Sequence, residues 1–149
     1  VDALCANLDD IYGDKVVLVE NVREMLERMS KGYRLAVITN GKIKWQNKKL
    51  RNSGIYGFFE SVIISEEVNA EKPDKAIFEI CLRNMGLEGK DCAFIGDNPE
   101  IDIVGSEAAG IKGILKVTKA NAMRGTGYRE IENYDDLQRV VDAIDNETL

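Results

Sequence analysis

The stretch CAFIGDNPEIDIVGSEAAGI, residues 92–111, decides how the rest of the chain reads. Cys92 to Ile95 is a short apolar run without polar alternation, the pattern of a strand buried on both faces of a parallel sheet. Asp97 follows at its tip, and Glu100 to Ala109 reads as a helix stopped by Gly110. A strand that hands over to a helix through a charged loop is half of a βαβ unit, so further units are expected on either side.

They are there. Gly113 to Leu115 (GIL) follows directly, and Ser61 to Ile64 (SVII) and Arg34 to Ile38 (RLAVI) precede it as further buried strands. Between them lie helical patterns at Asn21 to Ser30, at Lys42 to Asn52 stopped by Gly54, and at Asp74 to Met85 stopped by Gly86. Leu137, Val140, Val141 and Ile144 place one apolar face on a last helix behind an Asp135-Asp136 start. The alternation implies right-handed crossovers and an α/β class: a Rossmann-like, three-layer αβα domain with a mostly parallel sheet. Residues 1 to 19 break the rhythm, being an acidic helical piece followed by Lys15 to Val19 (KVVLV). They read as an approach segment from something upstream.

Composition narrows the partners. The 149 residues are 44% hydrophobic and 31% charged, which suits one domain with a real core. A net charge of -6 provides no field for nucleic acid or an acidic membrane surface, and neither is expected as a partner. There is no histidine, which removes serine-histidine triads and histidine metal sites, so acid-base chemistry falls to carboxylates or lysine. Cys5, Cys81 and Cys92 lack CxxC spacing and are expected to be reduced thiols of a cytoplasmic protein. No apolar run approaches the roughly 18 to 20 residues that span a bilayer. The chain opens on Val1 rather than on methionine, which is compatible with processing, proteolysis or a start within a longer protein.

In a doubly wound sheet ligands sit outside the C-terminal ends of the strands, so the informative residues are those that follow the apolar runs. Thr39-Asn40-Gly41 offers a hydroxyl, an amide and backbone N–H groups at a helix start, which suits a phosphate oxygen; alone, such a loop is more often a plain helix cap. Lys72, in Glu71-Lys72-Pro73-Asp74, is a cation on a backbone stiffened by proline, able to neutralise a phosphoryl oxygen; alone, it would be a solvated lysine. Asp97 and Asp102 put one carboxylate on a strand tip and one on the first helical turn, where oxygen ligands select magnesium above other cations. An aspartate such as Asp102 also simply favours a helix N-terminus.

Taken together, ITNG at 38–41, EKPDKAIF at 71–78 and FIGDNPEIDIVGSEAAGI at 94–111 resemble motifs II, III and IV of the haloacid dehalogenase-like hydrolases, in order and spacing. The resemblance runs from about Glu20 to about Leu115. It implies that Thr39 and Asn40 contact the phosphoryl group, that Lys72 steadies its charge, that Asp97 is a magnesium ligand, and that Asp102 orients a metal-bound water or supports the metal site. It also implies a nucleophilic aspartate in a DxD motif on a preceding strand, attacking phosphorus to form an aspartyl-phosphate. That motif is absent; Leu8-Asp9-Asp10-Ile11-Tyr12 has the wrong spacing and no strand before it.

Residues 1–19 then resemble the tail of a helical cap, and residues 20–149 the core domain. The expected function is a magnesium-dependent phosphatase of a small phosphorylated metabolite, with this chain inactive alone. The alternatives are a non-catalytic module binding an anion, a metal or a protein, and a metal-independent haloacid dehalogenase. Thr39, Lys72, Asp97 and Asp102 are expected to converge on one sheet edge. The resemblance also places the missing strand between those ending at Ile38 and Ile95. Its slot is expected to close by direct pairing of Arg34–Ile38 with Cys92–Ile95, or to be filled by Val16–Val19 or another chain.

Overall fold

The computed structural model describes residues 16–121 and 127–147. Helix α1 (Val22–Met29) leads to β1 (Ala36–Thr39), α2 (Ile43–Asn52), β2 (Ser61–Ile64) and a one-turn helix α3 (Ser65–Val68). Then follow α4 (Lys75–Met85), β3 (Ala93–Gly96), α5 (Val104–Ala108), β4 (Lys112–Lys116), β5 (Arg129–Ile131) and α6 (Leu137–Glu147). All strand pairs are parallel, in the orders β1–β2 and β3–β4–β5.

Register sorts the side chains onto two faces. Val37 lies beside Val62 and Ile95 beside Ile114, and all four meet α1 and α6 through Met25, Leu26, Leu137, Val141 and Ile144. One residue along, Ile38 lies beside Ile63, and with Phe94 they pack on Ile77, Phe78, Cys81 and Met85 of α4. Phe78 and Phe94 meet edge to face at 5.1 Å, a geometry favoured by the ring quadrupoles. Helices therefore cover both faces, as a Rossmann-like domain requires. Cys81 and Cys92 are free thiols, and burial pushes both above the usual thiol range. Cys5 and the Leu8–Tyr12 stretch lie outside the described residues, as does most of the expected cap tail.

Three features depart from the sequence-based expectations. Strand β5 carries an exposed, exposed, buried pattern, so no apolar run announces it. Helix α3 is a single turn, too short for a periodic signal. The helix expected from Glu100 starts only at Val104; Pro99–Ile103 forms a wider turn in which the Val104 N–H reaches back to the Pro99 carbonyl. The Asn98 side chain accepts the Glu100 and Ile101 N–H groups at 3.1 Å each and so sets where that turn begins.

The expected closure of the slot does not occur among the described residues. Strands β1 and β3 are not hydrogen-bonded to each other, and residues 16–19 form no strand, although Leu18 and Val19 pack on the first cluster. Between the two half-sheets lies an apolar cavity of about 480 Å³, reached by Leu35 and Ile38 from one strand and by Phe94 and Ile95 from the other. The physical reason is the pair of helical layers. Met25, Met29 and Val141 wall the cavity on one face and Cys81 and Met85 on the other, so the side chains that build both cores hold the strands apart.

Packing on this scale has a measurable cost. Ile114 is fully buried, and Ile114→Ala is expected to lower the unfolding free energy by about 2–5 kcal/mol. Val104→Ala, at a side chain 49% exposed, should stay within about 0.5 kcal/mol of the parent. Urea midpoints of the two variants compare them directly.

Candidate active site

At the C-terminal edge of β1, Thr39 is only 3% exposed, and its hydroxyl donates to the Asn40 carbonyl at 3.4 Å. The Asn40 amide is used at both ends: Nδ2 donates to the Lys72 carbonyl at 3.0 Å, and Oδ1 accepts the Lys72 N–H at 2.9 Å. Gln46, one turn into α2, donates to the Asn40 carbonyl at 3.2 Å. Gly41 makes this approach sterically feasible. Its φ is 141°, and an added Cβ would sit 2.5 Å from Gln46 Nε2.

The backbone donors expected to be free at this helix start are instead engaged. The Gly41 N–H donates to Ser65 Oγ at 2.9 Å and the Ile43 N–H to Glu66 Oε2 at 2.8 Å, both on α3. Of the phosphate-binding set read from the sequence, Asn40 acts as a clamp on the Lys72 backbone.

Lys72 Nζ donates to Asp102 Oδ1 at 2.8 Å, with the side chains 6% and 2% exposed. Burial pushes the ammonium below the usual lysine range, and the Asp102 carboxylate pulls it partly back. The second Asp102 oxygen accepts the Asp97 N–H at 3.1 Å and the Asn98 N–H at 3.0 Å. Gly96 makes room for this, because an added Cβ would fall inside the Asp102 carboxylate. Both Asp102 oxygens are thus engaged, which suits a residue that orients others and leaves it poorly disposed to ligate a metal directly.

Asp97 stands differently. It is half-buried on the tip of β3; burial first and the Asp102 charge second push its carboxyl above the usual aspartate range, while Lys72 and Lys116 pull it down. A hard divalent cation set against Asp97 would relieve both penalties. Among the described residues no group of three or more aspartate, glutamate, histidine or cysteine side chains gathers for a metal. The residues therefore fit one corner of a magnesium shell, with Asp97 as that corner.

Two contributors escaped the sequence reading. Lys116 ends β4, with Nζ donating to the Val117 and Glu132 carbonyls at 2.8 Å each. It follows an apolar run at the same sheet edge, the signal that singled out Asp97. Asn121, in the turn beyond, donates to the Asp97 carbonyl at 2.7 Å and carries no such signal.

Residues 3–116 match the family model described as haloacid dehalogenase-like hydrolase. The chain belongs to the haloacid dehalogenase-like hydrolase family. It is 34% identical over 104 residues to human N-acylneuraminate-9-phosphatase, covering 70% of this chain and 42% of that protein. With the glyceraldehyde 3-phosphate phosphatase of Methanothermobacter thermautotrophicus it shares 43% over 91 residues, 61% of this chain and 40% of that one. The crystal structure of a HAD phosphatase from Thermococcus onnurineus superposes with a TM-score of 0.77 at 27% identity, covering 83% of this chain and 58% of the other. The chain thus spans about two-fifths of the length of these curated relatives. Among the described residues no helix is long and apolar enough to cross a membrane.

Removing one member of a buried ion pair leaves the other uncompensated, so Lys72→Met is expected to cost about 3–5 kcal/mol. A Lys72→Met, Asp102→Asn cycle should give a coupling of about 1–3 kcal/mol in urea unfolding. Asp97 behaves oppositely. Its carboxyl titrates higher in the folded than in the unfolded chain, so the folded state binds more protons between the two values and stability falls as pH rises through that window. Without metal, Asp97→Asn should be more stable than the parent at neutral pH. The gap should close as pH drops below the ordinary aspartate value of about 3.9, as read by unfolding midpoints across pH.

Proposed function

We propose that this chain is the phosphate- and metal-binding part of a magnesium-dependent phosphatase acting on a small phosphorylated metabolite. The observation that carries this reading is the buried Lys72 ammonium paired with Asp102, whose second oxygen holds the backbone of the half-buried Asp97, with Thr39 ending β1 next to the Asn40 clamp on Lys72. Relatives named as phosphatases of N-acylneuraminate 9-phosphate and glyceraldehyde 3-phosphate support the substrate class, and favour a phosphatase over a metal-independent dehalogenase.

In this reading Thr39 donates its hydroxyl to a phosphoryl oxygen, and Lys72 sets a positive charge beside the anion in a poorly solvated position, where charge counts for more than in water. Asp102 keeps Lys72 charged and aimed, and through its second oxygen fixes the backbone at Asp97. Bound magnesium, held by Asp97, supplies positive charge against the phosphoryl oxygens. The nucleophilic carboxylate comes from a strand that fills the cavity between β1 and β3, contributed upstream or by another chain. It forms a bond to phosphorus as the bond to the leaving alkoxide breaks, and water then hydrolyses the acyl phosphate.

The test compares this chain with a version extended through its upstream coding sequence, using p-nitrophenyl phosphate. The 149-residue chain should show no magnesium-dependent turnover and the extended one should, since loss of a covalent nucleophile removes on the order of 10⁴ or more in rate. Asp97→Ala should abolish the magnesium dependence of the extended protein. Turnover by the short chain that disappears in its own Asp97→Ala variant would sink the missing-nucleophile reading. An inert extended protein would favour a binding module.

A further inference from the structure

Asn121 lies in the turn after β4, outside every motif described above in sequence, and is 5% exposed. Its Nδ2 donates to the Asp97 carbonyl at 2.7 Å and to the Lys116 carbonyl at 2.9 Å, while Oδ1 accepts the Thr118 N–H at 2.7 Å. Both amide hydrogens are spent on the tips of two neighbouring strands, and the oxygen on the residue's own turn. The β3–β4 ladder ends with Gly96 beside Leu115, so Asp97 and Lys116 are the first residues past that ladder, although Lys116 still pairs with Ile131 of β5. Their carbonyls still need donors there, and one side chain supplies both.

The consequence falls on Asp97. Its N–H is held by the Asp102 carboxylate and its carbonyl by Asn121, so the peptide groups on either side of its Cα are anchored from opposite flanks. The side chain is thus launched from a backbone held on both flanks. We propose that Asn121 is a positioning residue that aims the Asp97 carboxylate at a bound divalent cation. This rests on the reading of Asp97 as the cation ligand. Supports of this kind orient a ligand without touching the metal, and their loss typically weakens metal binding about 10- to 100-fold.

The test uses the 149-residue chain with Mn²⁺ as the probe, following paramagnetic broadening of the Gly96, Asp97 and Asn98 amide signals, with thermal unfolding measured in parallel. The parent should show broadening centred on these amides, and Asp97→Ala should remove it. Asn121→Ala should stay folded and shift the Mn²⁺ midpoint upward by about tenfold or more. Asn121→Asp keeps the size and the Thr118 contact but sets an acceptor against two carbonyls, and it carries the test should the alanine variant unfold. A purely structural role would lower the unfolding temperature and leave the midpoint of the folded chain alone. A folded Asn121 variant with the parental midpoint overturns the proposal while sparing the reading of Asp97. No broadening in the parent overturns that reading, and this proposal with it.

Discussion

The buried ion pair between Lys72 and Asp102 is the contact on which the functional edge depends. Lys72 is reached from the half-sheet of β1 and β2, and Asp102 from that of β3, β4 and β5, so the 2.8 Å contact is a brace between strands that do not otherwise bond. In isolation such a pair contributes little, because desolvating two ions offsets their attraction. Here the remaining valences are filled as well: Asp102 takes two backbone N–H groups, and the Lys72 backbone is gripped by Asn40. Only a pair satisfied in this way is tolerable in so buried a place.

Below that edge the two half-sheets are held by apolar packing. One core runs from α1 to α6 across Val37 and Ile95, the other from α4 across Ile38 and Phe94, so each joins both halves without any bond between β1 and β3. The helices act as splints. A fold assembled like this keeps its outline around an apolar cavity, because its layers are specified by side-chain volume on the outer walls as much as by the strand ladder.

Most of this was legible from residue order alone. Apolar runs located β1 to β4 because a strand covered on both faces must be apolar throughout, and the stop glycines Gly54, Gly86 and Gly110 located helix ends. The link from Lys72 through Asp102 to Asp97 lies where one rule about strand ends puts such residues, although the strands form two hydrogen-bonded sheets rather than the single sheet expected. What stayed hidden was decided by contacts distant in sequence. Asn40 looks like a ligand until Lys72, thirty-two positions on, takes its amide. The donors of Gly41 and Ile43 look free until α3 arrives with Ser65 and Glu66. Strand β5 exists only because β4 offers it an edge, with Lys116 beside Ile131.

The Asn40 clamp also has a consequence for how the chain can vary. Lys72 is located by a side chain from another strand's loop as well as by its own turn, in which the Asp74 N–H donates to the Glu71 carbonyl at 2.8 Å. The Glu71 side chain is exposed on an open groove and is not among the contacts that hold Lys72. That side chain can change at little energetic cost, since surface substitutions away from such contacts usually stay within about 0.5 kcal/mol. The rim of the site is thus free to diversify while its charge stays in place.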